Sequence, residues 1–162
     1  MRKNTLVFIN QLIENYGYAA VFIILALGLF SLPIPDEVMV LLVGYFTKIG
    51  LLQYNFSLLA VFSGSLIGML ISYGLGKRIG YPLLDWLCKW LGLSQKRRKK
   101  TGYWIHKYGA SAILVSYFIP GIRHVVGIFC GISHMPIKTY TLFVGASALL
   151  WSLLFLTLGR IF

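Results

Sequence analysis

The sequence predicts an all-helical membrane protein: two re-entrant helical hairpins plus transmembrane helices in an inverted repeat, with interfacial amphipathic helices. Three observations predict it. First, the 162 residues are 58% apolar and only 12% charged, with a mean hydropathy of +0.79, whereas soluble domains carry roughly 25% charged residues. Second, two apolar runs are unbroken and two are interrupted at proline. Third, the two halves align with each other at a constant offset. The apolar runs do not alternate with period two, which disfavours a transmembrane β-barrel. The formal net charge of +11 does not mark a nucleic-acid binder, because a soluble basic domain is far more polar.

The N-terminal segment Thr5 to Asn15 places Leu6, Ile9 and Ile13 at helical spacing, a weak amphipathic pattern. Asn10, Gln11, Glu14 and Asn15 interrupt any signal-peptide core, so these residues are expected to remain in the mature protein. Tyr18 to Phe30 is apolar, Ser31-Leu32-Pro33-Ile34-Pro35-Asp36-Glu37 interrupts, and Val38 to Phe46 is apolar again. Later, Ala110 to Ile119 is followed by Pro120-Gly121-Ile122-Arg123-His124 and then by apolar Val125 to Ile132. Proline removes a backbone donor and clashes with the preceding turn, so the helices should break at Pro33, Pro35, Pro120 and Gly121. The shorter half-segments cannot cross about 30 Å of hydrocarbon alone. Broken backbone at membrane depth needs protein or a wet cavity around it. Two re-entrant hairpins meet this most economically, with two kinked full spans as the rival.

Phe56 to Gly76 runs 21 residues without a charge and Thr139 to Leu158 runs 20, each long enough to span. The first span carries Gly64, Gly68, Ser72 and Gly76 at intervals of four, a small-residue stripe that lets another helix approach closely. It serves packing or lines a lipid groove, and it leaves a homo-oligomer open. Tyr81 to Leu93 reads as an interfacial helix, with Leu83, Leu84, Leu87, Trp90 and Leu91 on one face and Asp85 and Lys89 opposite. Trp86, Trp90 and Trp104 fit an interfacial belt. Nine of the fifteen basic residues lie between Lys77 and Lys107. The positive-inside rule therefore places the loop 94–107 in the cytoplasm, against anionic lipid.

Shifting the chain by 83 positions aligns Glu37 to Ile79 with the second half without gaps, and ten of 43 positions match, among them Gly44/Gly127 and Gly76/Gly159. Residues 1–162 thus form one membrane domain: a first repeat over about 16–80, a basic connection over 81–107 and a second repeat over about 108–162. A unit with an odd number of crossings inverts its successor. Inverted repeats with helices broken at the midplane are transporter architecture, with the substrate site between the tips.

Glu37 and Arg123 are the intramembrane charges that such a site would use, because an ionisable group at membrane depth is costly without a function. Glu37, with Asp36, also suits an ordinary helix start, where acids complement the dipole. Arg123 falls in the first turn of a half-helix, where a cation opposes the dipole unless an anion compensates it. A facing carboxylate and guanidinium make either a structural salt bridge or a headgroup site, Arg123 taking a phosphate and Glu37 an amine. His124 adjoins Arg123 and either binds phosphate or is a satisfied core histidine. Cys88 and Cys130 form no metal spacing with the three histidines, and no metal or cofactor is expected.

The pattern resembles the DedA family, also called SNARE-associated or VTT-domain proteins. The resemblance rests on Tyr16-Gly17, Pro33-Ile34-Pro35-Asp36-Glu37 with Val43-Gly44, Tyr73-Gly74-Leu75-Gly76-Lys77 and Phe118-Ile119-Pro120-Gly121-Ile122-Arg123. It continues with Gly131 before Met135-Pro136 and a tryptophan-containing last span ending Leu158-Gly159. It implies lipid transport in a bacterial cytoplasmic membrane, by a flippase or scramblase for phospholipids or undecaprenyl phosphate, with site residues on Glu37 and Arg123. The chain departs from the usual family pattern in having Gly28, Met69 and Tyr117 where many members carry a glutamate, an aspartate and an arginine. One acid and one base then suit a zwitterionic headgroup, phosphatidylethanolamine, better than a strongly anionic one.

Transbilayer movement of a phosphatidylethanolamine headgroup is accordingly the expected activity, with undecaprenyl phosphate as the alternative. No ATP-binding motif occurs in the sequence, so movement would be downhill or ion-coupled. A membrane lipid phosphatase or transferase is the remote reading, since no Ser/His/Asp set or acidic metal cluster is visible. An assembly subunit rests on the small-residue stripe alone.

Overall fold

The computed structural model describes residues 16–28, 35–90, 92, 94–119 and 122–162, and of positions 97, 98, 101 and 104 the backbone only. The amphipathic segment expected before Tyr16, the breaks expected at Pro33, Pro120 and Gly121, and Leu91 and Leu93 lie outside the described residues.

Every regular element among the described residues is an α-helix: α1 (Tyr16–Ala26), α2 (Asp36–Lys48), α3 (Tyr54–Ile79), α4 (Tyr81–Trp90), α5 (Gln95–Tyr108), α6 (Ser111–Ser116), α7 (Ile122–Ile132) and α8 (Ile137–Ile161). The two unbroken apolar runs become α3 and α8, of 26 and 25 residues. At 1.5 Å per residue each is about 37–39 Å long, enough to cross the ~30 Å hydrocarbon core. By the same measure α2, with 13 residues, and α7, with 11, reach only about 20 Å and 17 Å. Pro35 stands immediately before α2 as its cap position, and Asp36 and Glu37 fill the first turn. Proline is favoured at helix starts because its φ is already helical, and acids there complement the amide dipoles.

The chain divides into two compact units, one of residues up to Ser65 with Leu150–Phe162 and the other of Leu66–Leu149. The division falls inside both long helices.

In the first unit, α1 lies on α3 at Gly64, where a Cβ would come within 2.8 Å of the Phe22 carbonyl oxygen. The Gln53 amide donates to the Tyr18 hydroxyl at 2.8 Å. Helix α2 buries Val40, Val43, Gly44 and Thr47, positions that recur at i, i+3, i+4 and i+7 and so form one stripe. This stripe meets the end of α8. A Cβ on Gly44 would strike the Leu156 carbonyl oxygen and lie 2.9 Å from the Gly159 Cα, and one on Gly159 would strike the Leu41 carbonyl. The backbones are therefore in direct contact, which only paired glycines allow. The Lys48 ammonium donates to the Ile161 carbonyl at 3.1 Å, supplying a cation where the α8 dipole is negative. The Tyr54 and Thr157 hydroxyls are 2.8 Å apart, and the Arg160 guanidinium lies 5.3 Å from the Tyr54 ring centre.

In the second unit, α7 is the core. Arg123 through Ile128, Cys130 and Gly131 are all buried, and α4, α5 and α6 pack against it. Gly80, at φ +75, turns the chain from α3 into α4 while its amide donates to the Gly76 carbonyl at 3.0 Å, a left-handed C-cap that a side chain would strain. Helix α4 buries Leu84, Leu87 and Cys88, while Trp86 and Trp90 stack in the open with ring centres 6.3 Å apart. The sequence pattern placed Trp90 with the leucines. In the structure it instead pairs with Trp86 on the outward face, four residues away and one turn along.

Candidate functional site

The second unit concentrates the buried polar chemistry. Arg123 is 2% exposed in the first turn of α7, beside His124 at 6%. The Arg123 guanidinium carbon lies 5.6 Å from the centre of the Tyr117 ring, and Tyr117 is itself fully buried. A guanidinium over an aromatic face is favoured by the ring quadrupole, more so when water is excluded. Tyr117 occupies the position just before Phe118-Ile119, where the family pattern led one to look for a second arginine. Here that position supplies a ring to the cation instead of another charge.

His124 Nδ1 is 2.9 Å from the Ser72 hydroxyl, which donates its own proton to the Gly68 carbonyl at 2.9 Å. A hydroxyl has one hydrogen, so the Ser72 oxygen must accept from the ring and Nδ1 carries a proton. In the neutral imidazole this makes Nε2 the acceptor. Serine at position 72 thus has two tasks. Its small side chain touches the Cβ position of Gly127 at 3.1 Å, and its oxygen orients His124.

Two tyrosines bound the same region. The Tyr140 hydroxyl donates to the Met69 carbonyl at 2.8 Å, and the Tyr73 hydroxyl to the Met135 carbonyl at 2.6 Å. Their rings stack with centres 4.6 Å apart. Tyr140 also lies 3.0 Å from where a Gly127 Cβ would sit, so α7 passes close to both long helices here. Sequence reasoning did not single out Tyr140. The available signal was a tyrosine inside an otherwise apolar span, since a buried phenol needs an acceptor.

Glu37 and Asp36 lie half-buried in the first turn of α2, in the first unit. Of the small-residue stripe, Gly64 meets α1 while Ser72 and Gly76 meet α7, and Gly68 is buried and accepts the Ser72 proton. Among the described residues no three His, Cys, Asp or Glu side chains are grouped to hold a metal ion. On the outer surface, Lys89, Lys96, Lys99, Lys100 and Lys107 are exposed, and the Lys107 ammonium lies 5.3 Å from the Tyr108 ring centre.

The VTT domain profile matches residues 34–161. The chain belongs to the VTT-domain, or DedA, family. Among relatives of this VTT-domain protein, the membrane protein YbfM of Bacillus subtilis is 49% identical over 153 residues, covering 94% of each chain. Undecaprenyl phosphate transporter A of Bacillus subtilis is 31% identical over 91% of this chain and 72% of its own. The Staphylococcus aureus protein of that name is 29% identical over 94% and 77%. No solved structure matches the chain. Family membership, two helices of spanning length and an apolar composition together make this VTT-domain chain a membrane protein.

Proposed function

We propose that the protein carries a lipid phosphate headgroup across a bacterial cytoplasmic membrane, with undecaprenyl phosphate as the first substrate. The observation that supports this best is the Arg123-His124 pair, buried at the start of α7. Helix amides and a guanidinium both favour a phosphate there, and arginine binds it through paired hydrogen bonds. The names of two relatives agree. Phosphatidylethanolamine is the second reading, favoured by Asp36 and Glu37, whose carboxylates suit its amine.

In this reading α2 and α7, too short to cross, are the second arms of two re-entrant hairpins, and the architecture is an inverted repeat. The α7 backbone is enclosed by α4, α5 and α6, as interrupted helices at membrane depth require. Arg123 and His124 take the phosphate, and the lipid tails remain in the bilayer. The exposed lysines of α4 and α5 and the Trp86–Trp90 pair face the cytoplasmic leaflet and its anionic lipids.

Purified protein in liposomes tests the substrate. Undecaprenyl phosphate should cross faster than in empty liposomes, and faster than phosphatidylethanolamine. Preference for phosphatidylethanolamine would select the second reading. Release of inorganic phosphate would replace transport by hydrolysis, and no acceleration of either lipid would end the proposal.

A further inference from the structure

The glycine contacts of the two units correspond residue for residue. A Cβ on Gly44 would face the Leu156 carbonyl oxygen, the Gly159 Cα and the Arg160 nitrogen; one on Gly131 would face the Tyr73 carbonyl oxygen, the Gly76 carbonyl carbon and the Lys77 nitrogen. Leu156, Gly159 and Arg160 lie 83 positions after Tyr73, Gly76 and Lys77. In return, Gly159 faces the backbone of Leu41, and Gly76 that of Ile128. Gly131 and Ile128 lie 87 positions after Gly44 and Leu41. The offset of 83 found in the sequence therefore holds for the long helices, but the short helices are displaced by four residues, about one turn.

This register changes which charges match. Under the offset of 83 Arg123 would match Val40; under that of 87 it matches Asp36, and His124 matches Glu37. Each charged pair stands eight and seven residues before its glycine, Gly131 or Gly44, about two turns along one continuous helix. Whatever moves the glycine moves the charged turn with it.

We infer that Gly44 with Gly159, and Gly131 with Gly76, are two equivalent seats, and that these four glycines are positioning residues for transport. Each seat fixes the rotation and depth of one short helix on a long one. One seat thereby holds Asp36 and Glu37 in place, and the other holds Arg123 and His124. The contacts are backbone to backbone, with a Cβ on Gly131 also 2.7 Å from the Lys77 nitrogen and one on Gly76 2.7 Å from the Ile128 Cα. An added methyl cannot be absorbed by turning a side chain, so the short helix must move. The functional half of this inference rests on the headgroup reading above.

Two readouts test it. The first needs no lipid substrate: Cys130 is buried beside Gly131, and its alkylation by N-ethylmaleimide can be mapped by mass spectrometry in the full-length protein. Gly131→Ala and Gly76→Ala should expose Cys130 and speed its labelling about tenfold or more, as opening of a close-packed contact implies. Gly74→Ala and Gly145→Ala, whose Cβ atoms meet nothing within 4 Å, should leave it unchanged, and so should Gly44→Ala. If Gly131→Ala fails to fold, Gly127→Ala replaces it, since its Cβ meets only side-chain atoms at 3.0 Å or more. The second readout is undecaprenyl phosphate movement against lipid mole fraction. Folded seat variants, including Gly44→Ala and Gly159→Ala, should lose tenfold or more in rate at low mole fraction, because displacing a binding group by about 1 Å costs up to a hundredfold. Unchanged Cys130 labelling in Gly131→Ala and Gly76→Ala overturns the seats. Faster labelling with wild-type transport overturns their positioning role. Faster labelling in a protein whose wild type moves no lipid leaves the seats standing and overturns the headgroup reading.

Discussion

A buried guanidinium needs an environment that repays its lost hydration, and Arg123 shows how this chain provides one. Tyr117 lies under the cation, and Ser72 fixes the neighbouring imidazole with its Nδ1 proton outward to oxygen. Ser72→Ala removes that acceptor while adding no bulk. A hydrogen bond of this kind is worth about 1 kcal/mol, so headgroup transport should fall roughly fivefold with little change in Tm. Retention of the wild-type rate by Ser72→Ala would show that His124 needs no orientation. The candidates Arg123 and His124 were legible because charges are rare in apolar sequence and these follow a proline-glycine break. The Ser72–His124 bond was not legible, since it joins residues 52 positions apart and depends on how α7 lies on α3.

At the scale of elements, periodicity located α3, α8 and α4, but it did not decide which α4 side chains face inward. Leu87 is 1% exposed and Trp90 47%, although both fit one stripe on paper. Leu87→Ala should lower stability by about 2–5 kcal/mol, the usual cost of a large-to-small change in a packed core. Trp90→Ala should cost clearly less. Thermal unfolding in detergent compares the two, and equal losses would place Trp90 in the core. In the register inferred from the glycine contacts, the long helices keep the offset of 83 while the short helices follow one of 87, and there is a physical reason. Helix α2 runs to Lys48 and α3 starts at Tyr54, while α7 ends at Ile132 and α8 already starts at Ile137. Those connecting stretches differ by one residue, but from Gly44 to Gly76 is 32 positions and from Gly131 to Gly159 only 28, a difference of four that an alignment without gaps cannot follow. Only the glycine contacts, which report backbone against backbone, recover the register.

For the whole molecule, most of the described basic side chains are exposed, Lys89, Lys96, Lys99, Lys100 and Lys107 on α4 and α5 among them, while Arg123 is buried. Composition and two unbroken runs were enough to mark a membrane protein, and the motif order was enough to mark the family. Neither carries the substrate, which the proposal above assigns to a few side chains at the start of α7. The most direct test compares wild-type protein with Arg123→Ala, reconstituted at equal density, for initial rates of undecaprenyl phosphate movement across liposomes. Loss of a charge-assisted pair of hydrogen bonds, at roughly 1.5–3 kcal/mol each, should reduce the rate at least tenfold. An Arg123→Ala protein that folds and moves the lipid at the wild-type rate would contradict the account.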